Sequence, residues 1–580
     1  MSLLSRSRLL PAIAILLALA SCSHKTNKEG KMVPKDAAIV MHFNGASLSS
    51  KLPWEEIKMN SMFAKMMADS STPAFAKNIL DNPDNSGIDI RSDLMMFMEK
   101  DADGGYIAVE GTLKDAEKFK KFNQDVVKDK EGDITENAGV TYMKRSKSIA
   151  GWNKEKFVLV ANLPEMNMRN KYSMTYDSST VTTSRDLMAT CKSVFDLKEE
   201  NSLGTDEKFS DLMSRKGDLH FWVNSEKLYA NADMGGMSSM LKLDDLYKDN
   251  RLAATCNFEN GKIDINYRAY MGSGLKKIYK KYIGDSFNED MLKRIPSKDV
   301  AAAFAMRFDP KAIKEMIDLT GMEGLVNIGM MTLGFSMDDI INANKGDFAL
   351  AVTDIGTRSD SIVIKKMNKK DSTIRFSHPE PNILFATAVG DKEAFNKLIK
   401  GIRKITDRSG MMDSGVSNIT WDINDKLFVV GNAKSQVDAY LNGGNNNFDF
   451  LSHISGNPFG GYINLQYIMK AMEAGITDSA EKYIHEASLK YWDNVYIKGG
   501  KYSDGAVSYD AEINLMDKNT NSLKQLNQYS SLIAPFVEEK REKMKDVDIK
   551  STIGVKVEKD KMKLPLPPPP PPVKNKKANK

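Results

Sequence analysis

The sequence predicts an α+β protein organised as two tandem repeated domains, each a largely antiparallel sheet with packed helices. Short apolar runs bounded by turn residues alternate with amphipathic stretches of helical period. Helices fall between strand hairpins rather than in strict strand–helix–strand alternation, which favours antiparallel sheets. The same string of motifs runs through residues 34–282 and again, in the same order, through residues 296–529.

From the N-terminus, Arg6 and Arg8 form a short positive region ahead of the apolar stretch Leu9–Ala20. That stretch has the length of a signal-peptide core and falls short of the ~20 residues of a spanning helix. It closes on Leu19-Ala20-Ser21-Cys22, a lipobox pattern. Residues 1–22 therefore read as a lipoprotein signal peptide, with Cys22 as the lipidated new N-terminus. At ~0.8 kcal/mol per buried CH₂, several acyl chains on one cysteine make a firm anchor. Residues 23–33 form a polar tether that reaches about 36 Å at most. No later stretch approaches ~18 uninterrupted apolar residues. The membrane is thus expected as a partner through the N-terminal lipid.

Repeat domain 1 spans residues 34–290 and repeat domain 2 residues 291–560. Pro34-Lys35-Asp36 with Ala37–Phe43 answers to Pro296–Asp299 with Val300–Met306. Gly87–Ile90 answers to Gly334–Met337. Tyr106–Val109 followed by Asp115–Phe122 answers to Ile383–Ala386 followed by Asp391–Leu398. Trp152 leading to Phe157–Asn162 answers to Trp421 leading to Leu427–Asn432. The strand–turn–strand Cys256–Tyr270 answers to Ile497–Ile513, and Leu275–Ile278 to Leu523–Leu526. Two copies describe a duplicated globular domain rather than a solenoid. Ala37–Phe43 reads as a buried strand, and Asp115 and Asp391 as N-caps whose carboxylates accept first-turn N–H groups. Phe119 and Phe122, like Phe395, Leu398 and Ile399, then mark the apolar face of each capped helix. Further helices are expected over Trp54–Met67, Ser184–Leu197, Lys208–Ser214, Gln466–Ala474 and Ala480–Lys490. Residues 561–580 are a disordered tail in which Pro567–Pro572 lock into polyproline II ahead of Lys574, Lys576, Lys577 and Lys580.

Charge excludes one class of partner. The chain has 82 Lys+Arg against 77 Asp+Glu, spread evenly, so no nucleic-acid surface is indicated. With Cys22 assigned to lipid, Cys191 and Cys256 remain. In an oxidising compartment they either pair as a disulfide or stand as two buried thiols.

Candidate chemistry is sparse. Met234, Met237 and Met240 have a spacing that could present soft sulfur to Cu(I), but methionine is common throughout, at 35 residues, and fills cores. Asn82, Asp84, Ser86, Gly87 and Asp93 loosely imitate a calcium loop, with Asn82 and Asp93 standing where Asp and Glu belong; a turn before a strand is the better reading. Asp101–Gly105 reads as a hairpin turn ahead of Tyr106. Ser479-Ala480-Glu481-Lys482 matches the Ser-x-x-Lys core of penicillin-recognising enzymes but lacks the Lys-Thr-Gly strand. His42 and His220 lie on expected strands beside aromatics and could form a base or a metal ligand. Their counterparts in the second copy are Ala305 and the stretch near Gly460–Ile463, which favours a structural role. What the copies share is apolar residues, caps and turns. No catalytic residue, metal or cofactor is assigned.

The assembled pattern resembles a family of uncharacterised lipoproteins from Bacteroidetes, large two-repeat envelope proteins grouped as a domain of unknown function. The residues that carry the resemblance are the lipobox Leu19–Cys22, the Pro34-Lys35-Asp36-Ala37 opening, the Asn82–Asp89 turn, and Lys216-Gly217-Asp218 before the aromatic strand Leu219–Asn224. Lys345–Val352 is similar to a broader group of bacterial extracellular domains. The resemblance implies a Gram-negative envelope and an outer-membrane lipoprotein. The residues after Cys22 carry only Glu29 as an acid up to Gly30, which leans toward the periplasmic face.

The functional expectation is a non-enzymatic module that binds an envelope protein, polymer or ligand, with the cleft between the repeats as its site. A structural spacer using the polyproline tail ranks second and an unrecognised hydrolase third. Exposed aromatic or Met patches in the groove between the repeats would favour the binding reading, and a fully polar groove would count against it.

Overall fold

Strands form here where apolar residues alternate. In Ile39–Phe43 and Leu219–Asn224 every second side chain is buried and its neighbours are half-buried, the signature of a sheet with one closed face. The computed structural model describes residues 32–70, 72–100, 104–126, 134–145, 147–163, 185–229, 242, 246–364, 372–409 and 419–551.

The first half runs β1 (Ile39–Phe43), α1 (Gly45–Lys51), α2 (Trp54–Lys58), α3 (Ser61–Ala68), α4 (Ala74–Asp81), β2 (Leu94–Glu99), β3 (Tyr106–Thr112), α5 (Ala116–Val126), β4 (Ile134–Asn137), β5 (Val140–Lys144), β6 (Ser148–Trp152), β7 (Lys156–Asn162), α6 (Leu187–Phe195), α7 (Glu207–Ser214), β8 (Leu219–Asn224), α8 (Ser225–Tyr229), β9 (Arg251–Glu259), β10 (Lys262–Tyr270) and α9 (Ser273–Tyr282). The second half runs α10 (Asp290–Lys293), β11 (Val300–Arg307), α11 (Lys311–Thr320), α12 (Glu323–Leu333), α13 (Met337–Ala343), β12 (Asn344–Ile364), β13 (Ser372–Val389), α14 (Lys392–Ser409), β14 (Thr420–Ile423), β15 (Leu427–Gly431), α15 (Lys434–Asn442), α16 (Leu451–Ile454), β16 (Phe459–Asn464), α17 (Leu465–Met472), α18 (Ser479–Tyr491), β17 (Trp492–Ser503), β18 (Ala506–Leu515) and α19 (Ser522–Ser551).

All the named strand pairings are antiparallel. In space the first half reads β4-β5-β6-β7-β3-β2-β1-β8-β9-β10. The second reads β14-β15-β13-β12-β11-β16-β17-β18. From β6 and from β14 onward the two orders have the same connectivity. Strands β10 and β18 pair with each other along Lys262↔Asn514 to Tyr270↔Ala506, so the halves form one continuous sheet.

Helices cover the two faces unequally. One face is sealed in the first half by α6 and α7, which bury Cys191, Phe209 and Leu212 with Trp222 and Phe97. In the second half α10, α15 and α16 bury Leu292, Tyr440 and Ile454 with Val429. The opposite face is covered in three places: Phe119 of α5 packs on Phe157, Trp152 and Leu94, Phe395 of α14 packs on Val389 and Phe428, and at the junction margin Leu48, Leu52 and Phe63 from α1 and α3 meet Leu523 of α19 and Phe258 and Ile263 of the sheet. Helix α19 straps the halves together: the Asn60 amide donates to Asn527 and Ser530, and Lys524 pairs with Glu56.

Several expectations meet a specific outcome. Asp115 and Asp391 both cap their helices, accepting from Lys118 N at 3.0 Å and Ala394 N at 2.7 Å. The expected helix over Trp54–Met67 is two helices, because the Asn60 side chain accepts from Met62 N and starts a new one. The matched strand segments Tyr106–Val109/Ile383–Ala386 and Phe157–Asn162/Leu427–Asn432 are one residue out of step. With β1 and β11 superposed as matched, Ala108 takes the place of Leu384, and Val158 that of Val429. A one-residue slip exchanges the faces of a strand, and near-continuous apolar runs hide such a slip.

Candidate functional site

Opposed residues of neighbouring antiparallel strands point to the same face. On the sealed face one such row is polar where an apolar core is expected. It runs Thr255, His220, His42, Met95, Glu110 and Val158 across β9, β8, β1, β2, β3 and β7. All six are buried.

The two imidazoles meet at Nδ1···Nδ1 3.0 Å. His220 Nε2 lies 3.0 Å from the Arg215 carbonyl, which can only accept, so Nε2 carries the proton there. In neutral His220, Nδ1 then accepts from His42. The other nitrogen of His42 faces the Asp93 carboxylate at 3.5 Å. Burial, and next the nearby His42, pull the His220 pKa down to about 4. Burial pushes Glu110 up to about 8, opposed by Lys156.

Beside this row Asp218 is fully buried and takes three donors: Lys51 Nζ at 2.6 Å, Ser47 Oγ at 2.5 Å and Phe258 N at 2.6 Å. Gly217 is glycine because a Cβ there would sit 2.6 Å from His220 Nε2. The Lys216-Gly217-Asp218 motif therefore builds the turn that seats His220 and anchors α1. In the second half the His42–His220 pair is replaced by Ala305–Gly460, and the space is filled by Phe287, whose ring a Cβ on Gly460 would meet at 2.6 Å. The polar row is thus closed off from solvent, with the two histidines joined to each other and to the Arg215 carbonyl and one Glu110 oxygen left without a hydrogen-bond partner.

The opposite face is different in kind. Its central row runs Val109, Met96, Met41, Phe221, Ala254, Tyr267 and Tyr509, and continues through Gly499, Phe459, Met306 and Phe348. Every member but Gly499 is partly or fully exposed. An antiparallel sheet face open to water normally carries polar residues at such positions. Here the row is apolar and aromatic, and it crosses the junction of the halves without a break. Sequence reasoning missed this trough because its row is assembled from strands far apart in sequence and runs on into the second half only once β10 pairs with β18.

Both faces of the junction carry a depression. On the sealed side Asp264, Asp510, Glu512, Asn266 and Lys498 line a polar hollow of about 250 Å³, in which Lys262 bridges Glu512 at 2.7 Å and Asp264 at 3.1 Å. On the trough side an apolar pocket of about 220 Å³ is walled by Ile278 and Tyr279 of α9, Met306 of β11, Met316 of α11, Phe459 of β16 and Tyr509 of β18. The groove between the halves is therefore polar on one side and lined by aromatics and Met on the other.

The remaining candidates disperse. Cys191 and Cys256, offered above as one option for a disulfide, are separate free thiols. Cys191 lies in the core under α6 and Cys256 packs against the α1–α3 cluster. Burial pushes their thiols up to about 12 and about 11. In the calcium-like stretch, Asn82 caps Asp84 N, Asp84 pairs with Lys114, and Asp93 turns to His42. Ser479 and Lys482 are exposed at the start of α18, which Asp478 caps. Among the described residues, no group of three or more His, Cys, Asp or Glu side chains is arranged to hold a metal, and no helix is long and apolar enough to cross a membrane. Cys22, Met234, Met237, Met240, Asp101 to Asp103 and the polyproline tail lie outside the described residues.

A family model described as "Domain of unknown function (DUF4836)" matches residues 30–364. No curated protein matches the sequence. Among solved structures, crystal form III of TP0453 is 10% identical, with 43% of this chain and 82% of that one covered at a TM-score of 0.25. Crystal form IV is 8% identical, with 45% and 88% covered at 0.26. These overlaps are too loose to assign a fold.

Proposed function

The chain belongs to the DUF4836 family, whose match spans more than half of its length, and on that premise we propose that it is a lipid-anchored cell-envelope protein whose work is non-enzymatic binding of a partner or ligand. The anchor is the acylated Cys22, and the body faces the periplasm from the outer membrane. The binding surface is the open apolar trough. One observation carries this reading: the unbroken row Met96–Met41–Phe221–Ala254–Tyr267–Tyr509 stays partly exposed, although from Met96 to Ala254 the chain neighbours on the other face are buried. Exposed apolar surface of this continuity is costly in water and marks interaction sites. The shared connectivity of the halves supports a tandem duplication that doubled the trough's length.

The test is site-specific photocrosslinking in native envelopes from Phe221 and Tyr509, with exposed Lys121 as control. Adducts made from the trough and not from Lys121 are expected; identical adduct patterns from all three positions would end the proposal. In parallel, Cys22→Ser should abolish fatty-acid labelling and release the protein from the membrane fraction.

A further inference from the structure

We propose that the apolar junction pocket takes the alkyl chain of a single-chain anionic amphiphile of the fatty-acid type, with its head held at a basic rim. This rests on the binding reading above and names its ligand class.

The walls suit a chain and little else. Ile278, Met306, Met316 and Phe459 are apolar, and the Tyr279 and Tyr509 hydroxyls turn to each other at 3.3 Å. A polar ligand would lose its hydration there and find few partners, whereas each buried CH₂ gains ~0.8 kcal/mol. Met306 and Met316 are 39% and 45% exposed at the mouth, and flexible thioethers adapt to chains of different curvature. The pocket opens on the trough, with Tyr509 common to both, so an alkyl tail has an apolar path in either direction.

The rim supplies the charge. Arg307 lines the pocket, 3.5 Å from Asp347. Helix α9 adds Lys281, paired with Glu315 at 2.7 Å, Lys280, 5.3 Å from the Tyr502 ring centre, and Lys277, which also acts on Glu315. Three cations, Arg307, Lys281 and Lys277, thus face the two carboxylates of Glu315 and Asp347, while Lys280 lies over the Tyr502 ring. The surplus positive charge complements a carboxylate or phosphate head and disfavours a cationic one.

The experiment uses the full chain with palmitate, hexadecanol and hexadecyl phosphate as probes, read by calorimetry and native mass spectrometry. One molecule of palmitate or hexadecyl phosphate per protein is expected, with hexadecanol at least tenfold weaker. Met316→Trp, at an exposed position where folding is not at stake, should weaken palmitate tenfold or more. Arg307→Gln should narrow the gap between palmitate and hexadecanol. Equal affinity for palmitate and hexadecanol would overturn the anionic assignment while leaving an apolar ligand in place. Failure of all three probes, with trough crosslinks to a protein still forming, would overturn the amphiphile and spare the binding function. Failure of the probes and of the crosslinks together would remove both.

Discussion

Glu110 offers a sharp test of how the sealed face is built. Its carboxyl is buried, and one oxygen has no hydrogen-bond partner. Burial raises its pKa from an ordinary 4.5 to about 8. Between those values the unfolded chain has released its proton and the folded protein has kept it. The folded state then binds more protons, so stability is full below pH 4.5 and declines as pH rises through about 8. At ~1.4 kcal/mol per pH unit, the gap amounts to about 5 kcal/mol. Glu110→Gln keeps the shape and removes the titration. Urea unfolding in a pH series should give wild type and variant equal stabilities within about 1 kcal/mol near pH 4.5, with the variant ahead by about 3–5 kcal/mol at pH 8.5. Taking the difference at each pH cancels other titrating groups. A difference that stays flat from pH 4.5 to 8.5 would refute the buried neutral carboxyl.

His220 titrates with the opposite sign: its folded value of about 4 lies below the ordinary 6.5, so its contribution is complete above pH 6.5 and lost as pH falls toward 4. His220→Gln should flatten the acid limb of the stability profile by about 3 kcal/mol, read by the same unfolding series. Lys51→Met leaves the buried Asp218 carboxylate without its cation and should cost about 3–5 kcal/mol, with Lys51→Met/Asp218→Asn recovering part of it in a double-mutant cycle. Gly460→Val drives a side chain into Phe287 and should lower stability by about 1–3 kcal/mol, measured by thermal melting. Cys191 and Cys256, held as thiols, should resist iodoacetamide at pH 8 in the native protein and both react in denaturant, counted by mass spectrometry.

The sequence disclosed local features and withheld those that depend on assembly. Asp115 and Asp391 were legible because a cap acts over three residues. The strand character of Ile39–Phe43 and Leu219–Asn224 was legible from alternation alone. Matching His42 to Ala305, and His220 to the stretch near Gly460–Ile463, was also possible, since the motifs keep their order; Gly460 itself was fixed only by the strand register. Which side of β3 and β13 faces the core was not, because Tyr106–Val109 and Ile383–Ala386 are apolar on both sides. Glu110 left a trace, a lone acid in the apolar run Tyr106–Thr112, but its meaning required the faces to be known. The trough and its pocket had no local signal. Tyr267 and Tyr509 are far apart in sequence, and each looks like an ordinary strand tyrosine until the two strands meet.

The meeting of β10 with β18 has a consequence for which chains those two strand edges can recruit. Either half on its own would end in a long strand with every second amide and carbonyl unclaimed, an invitation to recruit any other chain with a similar border. Carrying both borders on one polypeptide makes the rightful match an intramolecular event, favoured over strangers by its high effective concentration. Each half is thereby the other's guard against aggregation in a crowded compartment.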